Sequence, residues 1–382
     1  MLGLDNLDAH CLSSSRHVVL DADTGERVAS WGRGLHGAAI TGDEVPAGVR
    51  SSKGSTRRNV HIARSSLRSA LLSSRNHTPV HWGKEVLDFH QTSDDELTVE
   101  FTDGSTILTN LLVGCDGVHS KIRSNVYPPL NDPYPITPAN VTVALGIFSP
   151  ASIKASNNNN PLADLLDFRT VIQIADGRRS RIYLQPYDSS HYMWQFSYLD
   201  EPTRDIVHCH QGQVRPRQTP NAILNKVTKL TQNWHNHNSS LLPIFSSTPP
   251  ELISAYSIVD RPLPPNFRPA TNNNDNYKGD GHALITFLGD AAHPMTPFKG
   301  WGANAALADG LELGRVIARS GVGGDDGNGN GRTTLGRDVL KEFEESMLKR
   351  VRVKVRKSRE AAVKLHSECV LERANVARGS IV

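Results

Sequence analysis

The spacing of hydrophobic and polar positions changes along this chain, and the changes divide it. Arg16-His17-Val18-Val19-Leu20 and Arg27-Val28-Ala29-Ser30-Trp31 flank Asp23-Thr24-Gly25, which predicts a hairpin over 16–31. Residues 32–57 are glycine-rich and read as loop. Ile62, Leu67, Ala70 and Leu71 fall near helical spacing and predict a short helix over 62–73. A second hairpin is expected at 96–101 and 106–108, about the turn Asp103-Gly104. Leu111-Leu112-Val113-Gly114 is a short unbroken apolar run, the pattern of a buried parallel strand.

From about 127 to 265 the texture is different. Alternating strands are expected at 141–148, 181–184 and 191–198, separated by turns and Asn/Pro-rich loops. This reads as an antiparallel sheet inserted into an α/β unit. The asparagine runs at 157–160 and 272–274 and the Gly/Asp stretch at 321–333 read as surface insertions. Beyond them, the apolar run 283–288 predicts another buried strand, and an Ala/Leu-rich helix begins near Ala303. A long helix over 335–366 places Val339, Phe343, Met347 and Val351 on one face. Its basic residues, Lys349, Arg350, Arg352, Lys354, Arg356, Lys357 and Arg359, read as a solvated face. The expected division is 1–126, 127–265 and 266–382.

With 382 residues the chain can bury one large core or two smaller ones. A net charge of +3 argues against a dedicated nucleic-acid binder. Cys11, Cys115, Cys209 and Cys369 have no CxxC spacing, so neither a structural zinc site nor a disulfide framework is implied. The histidine clusters His208-Cys209-His210 and His235/His237 lack a third ligand at fixed spacing and read as surface histidines, with no metal expected. No apolar run is long enough to span a bilayer, and the first residues have no basic region followed by an apolar core. A cytoplasmic location is the default expectation.

Candidate chemistry concentrates in three strings. The first is Phe287-Leu288-Gly289-Asp290-Ala291-Ala292-His293-Pro294, continued by Pro297, Gly300, Gly302, Ala303, Asn304 and Asp309. A Gly-Asp pair alone is an ordinary turn. A strand delivering a carboxylate, a glycine loop and then a helix N-terminus is a cofactor-binding layout, because the N-terminus offers free N–H groups and a positive dipole end. The second string, Val113-Gly114-Cys115-Asp116-Gly117-Val118-His119-Ser120, is another strand-to-helix corner, with Ser120 placed to cap the helix. The third, Arg64-Ser65-Ser66-Leu67-Arg68, opens the short helix and by itself reads as a basic solvated face. A literal GxGxxG at Gly32-Arg33-Gly34-Leu35-His36-Gly37 is read as loop, because glycines and Pro46 interrupt the helix a dinucleotide fold requires after it.

Together these strings resemble the FAD-dependent aromatic hydroxylases, the single-component flavoprotein monooxygenases built like para-hydroxybenzoate hydroxylase. The resemblance runs from about Arg64 to His366, includes the closing helix around Phe343 and Ser358-Arg359-Glu360, and is thin between 127 and 265. It implies an α/β Rossmann-like FAD-binding domain, an inserted antiparallel substrate sheet and a long C-terminal helix. It further implies that Asp290 binds a ribityl or ribose hydroxyl and that Gly289 sets its turn. Pro297, Gly300, Gly302, Ala303 and Asn304 would lie along the flavin ring, and Arg64 and Asp116 would serve the diphosphate and the approach of the nicotinamide nucleotide. No acid or base in the substrate pocket is assigned.

The implied reaction uses NADH or NADPH, FAD and oxygen to hydroxylate a small aromatic substrate through a flavin C4a-hydroperoxide. Two departures stand out. Trp301 sits between the loop glycines, where a smaller or polar residue is usual, and the family's opening strand–GxGxxG–helix unit is not found at the start of this sequence, which is therefore read as N-terminally incomplete. The alternative expectation is a truncated or degenerate non-catalytic homologue acting as a binding protein. A flavin halogenase or reductase ranks below both, since halogenase tryptophan signatures are not evident.

Overall fold

A computed structural model describes residues 11–32, 60–74, 79–93, 95–127, 132, 134–156, 160–200, 218–263, 284–320 and 337–372. The chain runs β1 (Cys11–Ser13), β2 (Arg16–Asp21), β3 (Arg27–Gly32), β4 (Val60–Ile62), α1 (Arg64–Ser73), β5 (Val86–Ser93), β6 (Glu96–Phe101), β7 (Thr106–Thr109), β8 (Leu112–Gly114) and α2 (Lys121–Val126). It continues through β9 (Thr137–Phe148), α3 (Pro150–Ser156), β10 (Thr170–Ala175), β11 (Ser180–Pro186), β12 (Tyr192–Leu199), α4 (Pro220–Thr231), α5 (His237–Ser246) and β13 (Ser254–Asp260). The last elements are β14 (Ile285–Phe287), α6 (Gly302–Ser320) and α7 (Arg337–Leu365). The loop over 32–57 beyond Gly32, the rest of the GxGxxG string, the boundary near 265, the insertions at 157–159, 272–274 and 321–333, and His208-Cys209-His210 lie outside the described residues.

The large sheet has the order β13-β9-β12-β11-β10-β2-β3. Its pairs are antiparallel except β10 with β2. The hairpin expected over 16–31 therefore forms, and it extends this sheet beyond β10. Strict alternation sends one set of side chains to each face. On one face Phe148, Ile172, Ile182, Leu184, Trp194 and Phe196 pack under α4 and α5, against Val227, Ile244 and Phe245. Trp194 donates from Nε1 to Thr248 Oγ1 at 2.9 Å and meets the Phe245 ring edge-on at 5.3 Å. A Cβ at position 146 would stand 2.6 Å from the Trp194 ring, so this close approach requires Gly146. His237, whose polar surroundings in the sequence suggest a surface histidine, is instead buried at the start of α5, and burial holds its ring below the ordinary value.

The second layer is built on β8 and β14, which pair in parallel. Ile285, Thr286 and Phe287 of β14 are all buried, as its apolar run predicts, whereas Leu112 and Val113 of β8 are only half-buried. Among the described residues β8 has one strand neighbour, so its outer side is less covered than a central strand's. α7 presents Phe343, Met347 and Val351 to this core as its spacing predicts. The β5-β6-β7 sheet contains the expected hairpin plus β5, which the pattern of the chain does not announce. Register shifts between Val86 and Asp88 and between Gln91 and Ser93 break the alternation in β5.

α7 ties the two layers together. Thr296 Oγ1 donates to the Ser358 carbonyl at 2.5 Å, and Arg359 donates to Asp260 Oδ1 at 2.5 Å and to the Pro138 carbonyl at 3.0 Å. Arg359 thus departs from the solvated face expected for it. Past the end of α7, His366 lies buried against β12. The Ala362 carbonyl 2.7 Å from Nδ1 requires N–H there, which leaves Nε2 to accept from the Ser197 hydroxyl at 2.9 Å. Burial and then the Arg181 guanidinium disfavour the imidazolium, and the ring is pushed down from 6.5 to about 4.

Between pH 6.5 and 4 the unfolded chain therefore binds a proton that the native state refuses, and stability falls as pH falls through that window. The expected loss from this residue is at most about 3 kcal/mol. Urea denaturation across the window should give a steeper pH dependence for the parent chain than for His366→Gln, which cannot take up the proton. Parallel slopes would remove His366 as the cause.

Candidate cofactor site

β14 passes through Leu288 to Gly289, whose φ of 57° lies in the left-handed region. A Cβ there would also stand 2.9 Å from Ala306 Cβ on α6, so both backbone and packing select glycine. A single 3-10 turn, Gly289–Ala291, follows, and the Ala292 and His293 N–H groups donate to the Gly289 carbonyl at 3.0 and 2.8 Å. The chain then crosses Pro294 and a second 3-10 turn, Pro297–Lys299. It reverses at Gly300, with φ 64°, and enters α6 at Gly302.

This path returns the α6 N-terminus to Asp290. A Cβ built at Gly302 would be 4.0 Å from Asp290 Oδ1. Asp290, Pro297, Gly300, Ala303 and Asn304 are all exposed and form an open shelf over a buried base of Ala291, Ala292, His293 and Ala305. The N–H groups of the first turn of α6 have no intrahelical acceptor and give the shelf its positive end. Asn304 Nδ2 donates back to the Gly300 carbonyl at 3.3 Å. Trp301 is half-buried, with the Lys299 ammonium over its ring at 5.6 Å. Although the Asp290 side chain reaches solvent, the atoms crowded around it desolvate the carboxylate and push it up, while His293 and Arg64 pull it down. Arg64, exposed at the start of α1, is near enough for its charge to act on that carboxylate.

The second corner lies beside the first. Leu288 N–H donates to the Gly114 carbonyl at 2.9 Å, so the Gly114-Cys115-Asp116 and Gly289-Asp290 segments leave the same end of the parallel pair. Ligands in open α/β sheets bind outside such carboxyl ends. Asp116 is exposed, and one of its oxygens, Oδ2, accepts from the Lys121 and Ile122 N–H groups at 2.7 and 3.2 Å. Ser120 caps α2 as expected, accepting from Arg123 N–H at 2.9 Å. The structure thus gathers Asp116, Gly289, Asp290, Pro297, Gly300, Gly302, Ala303 and Asn304 around the two corners, while Arg64 on α1 acts on Asp290 only through its charge.

Beneath the shelf lies a buried ion network that the spacing of the chain only partly signals. Asp309, fully buried on α6, accepts from Gly289 N–H at 3.2 Å and pairs with His293 Nε2 at 2.7 Å and with Arg350 Nη2 at 2.7 Å. Arg350 also pairs with Glu312. Burial works to raise the Asp309 carboxyl, but hydrogen bonds from His293, Arg350 and Gly289 outweigh it and the net shift is downward. The sequence pattern places Arg350 on a solvated face. Its guanidinium instead turns inward, where two carboxylates raise its affinity for the proton against the effect of burial. A second network joins Arg123, Asp132 and Arg261 at 3.0 and 2.7 Å, while the Arg261 backbone N–H donates to the Pro294 carbonyl at 3.1 Å. The shelf is therefore anchored at both ends. Among the described residues no group of three or more His, Cys, Asp or Glu could hold a metal ion, and no helix is long and apolar enough to cross a membrane.

No family model matches the chain. It is 26% identical over 253 residues to an FAD-dependent monooxygenase of Aspergillus terreus, covering 62% of this chain and 48% of that protein. It is 25% identical over 332 residues to a probable FAD-dependent monooxygenase of Arthroderma benhamiae, covering 81% and 69%. The chain thus spans about half to two thirds of the length of these relatives. Among solved structures, HpxO of Klebsiella pneumoniae complexed with FAD and uric acid superposes with a TM-score of 0.66 at 20% identity, covering 95% of this chain and 75% of that one. 2,6-Dihydroxypyridine-3-hydroxylase of Arthrobacter nicotinovorans gives 0.65 at 16% identity, with 94% and 78% covered. The fold is the α/β FAD-binding fold of the para-hydroxybenzoate hydroxylase-like proteins. The homologues of the chain are FAD-dependent monooxygenases, as the resemblance implied.

Removing the central carboxylate leaves Arg350 and His293 facing each other without their common partner. Asp309→Ala is expected to lower unfolding free energy by about 3–5 kcal/mol. Arg356→Ala, which breaks an exposed pair with Glu360 at 2.7 Å, is expected to change it by less than about 1 kcal/mol. Urea denaturation of the two variants checks the contrast, and equal losses would contradict the anchoring role of Asp309.

Proposed function

We propose that this chain is the FAD-holding part of a monooxygenase that uses NADH or NADPH and oxygen to hydroxylate a small aromatic molecule. The observation that carries the reading is the meeting of Asp290 with the α6 N-terminus, beside the Asp116 corner, on an open shelf. The residues fit a flavin nucleotide. An exposed carboxylate suits sugar or ribityl hydroxyls, an uncovered helix N-terminus suits an electron-rich carbonyl edge, and glycines at 300 and 302 let a flat ring approach the backbone.

Asp290 would accept from a ribityl or ribose hydroxyl, with its turn fixed by Gly289. The N–H groups of Gly302, Ala303 and Asn304 would donate to the pyrimidine edge of the ring and stabilise negative charge there, the preorganised donors of an oxyanion site. Pro297, rigid and exposed, would wall one side of the ring, with Gly300 setting the reversal. Arg64 would meet the diphosphate. Asp116 would hold α2 in place through Oδ2 and face the approaching nicotinamide nucleotide. When bound, FAD supplies hydride acceptance and oxygen activation, and the protein orients it and excludes water.

The purified chain is expected to be yellow, with flavin absorbance, and to oxidise NADH or NADPH faster when substrate is added. Asp290→Ala removes one charge-assisted hydrogen bond and should weaken FAD affinity about ten- to a hundred-fold, measured by flavin fluorescence titration. A folded, colourless chain inert toward both nucleotides would favour the non-catalytic homologue over this reading.

A further inference from the structure

The face of the large sheet turned away from α4 and α5 forms a three-by-three grid. Register aligns Gln185 with Met193 and Ile147, then Tyr183 with Gln195 and Leu145, then Arg181 with Ser197 and Val143. The third row is buried. Its cover is the loop that carries the shelf: the Arg181 guanidinium lies 5.3 Å from the centre of the Phe298 ring, Phe298 packs on the Val141/Val143 cluster, and His366 bonds Ser197 and meets Phe298 edge-on at 5.2 Å. In the first two rows all six residues are only half-buried, although every residue alternating with them on the opposite face is buried. The sheet is thus open where it emerges from beneath the Pro297-Phe298 segment, and it is the same face.

The open rows carry three apolar side chains, Leu145, Ile147 and Met193, and three neutral hydrogen-bonding ones, Tyr183, Gln185 and Gln195. None bears a charge at neutral pH. Among the described residues the cation next to these rows on this face is Arg181, which is buried and engaged with Gln173, Tyr183 and Phe298. Past the first row, Asp188 and His191 are hydrogen-bonded to each other at 3.0 Å. An anionic ligand on this wall would lose its hydration without meeting a cation among the described residues, which is costly, whereas neutral rings gain from apolar contact and the amides can meet hydroxyl or carbonyl groups. Three strands span about 10 Å and two alternate residues about 7 Å, a footprint larger than one benzene ring.

We propose that the substrate is a neutral fused-ring aromatic of two or three rings bearing hydroxyl or carbonyl groups, laid on these two rows, rather than a small aromatic carboxylate. The assignment rests on the proposed function, since it takes the shelf beside this face as the cofactor's place. It is tested by calorimetric titration of the chain, with FAD added, against naphthol, naphthoate and phenol. Naphthol and naphthoate share a skeleton and differ in charge; phenol tests size. Naphthol should bind at least about ten-fold tighter than either of the others.

Gln195→Lys should reverse the order of naphthol and naphthoate, and Gln185→Lys, at the outer row, should shift it the same way if the first variant folds poorly. Val363→Lys, exposed on α7, should leave the order unchanged. Tighter binding of naphthoate, equal binding of phenol, or no binding of naphthol would overturn the assignment. FAD titration in parallel separates the two readings: a chain that takes no FAD yet selects naphthol loses the proposed function and keeps the character of the wall.

Discussion

A single buried carboxylate holds the site together. Asp309 binds the first N–H of the Gly289-Asp290 turn, the imidazole of His293 at the far side of that turn, and a guanidinium from α7. Two partners hold the turn at its start and its end and the third comes from α7, so one side chain fixes the turn beyond β14 and the closing helix relative to one another. A buried charge is costly without partners and strongly directional with them. The network therefore favours one arrangement of the loop over others, and it does so directly beneath Asp290. Arg350 in turn reaches Glu312 further along α6, which spreads the constraint over the helix whose N-terminus faces the shelf.

The division between the layers follows from this anchoring. β8 and β14 bring two strand ends together, and the loops leaving those ends carry the polar groups, while α7 runs beneath as a brace. The brace also reaches the large sheet through Arg359 and Asp260, and His366 beyond its end reaches the same sheet through Ser197. The loop over 294–300 is thus trapped between helix and sheet, with Thr296 held by the Ser358 carbonyl and Phe298 against the sheet. Its exposed residues, Pro297 and Gly300, project from a rigid base. Such rigidity is what a site needs to hold a flat group at a fixed distance from a substrate wall.

Much of this is legible in the chain. The strings at 112–123 and 287–310 announce strand ends, turns and helix starts because glycine, proline and capping residues act locally. α7 is legible because its apolar face repeats with helical spacing. The long-range pairings are not. Arg350 and Arg359 sit in a run of basic residues on one helix, and nothing in that spacing says which of them turn inward; only the carboxylates brought close by folding decide it. His237 reads as a polar surface residue, yet at the start of α5 it is buried, which nothing in its local spacing signals. β5 is hidden because two bulges interrupt its alternation, and the hairpin at 16–31 gives no sign that β2 runs parallel to a strand that begins only at Thr170.

The central claim is that the Gly289-Asp290 turn, the α6 N-terminus and the Asp116 corner together receive FAD. Hydrogen–deuterium exchange of the chain with and without FAD tests it most directly, because it reports where the nucleotide acts without requiring turnover. The account predicts slowed exchange confined mainly to 289–305, 114–123 and the start of α1. Protection elsewhere with none in these segments, or no change at saturating FAD, would contradict it.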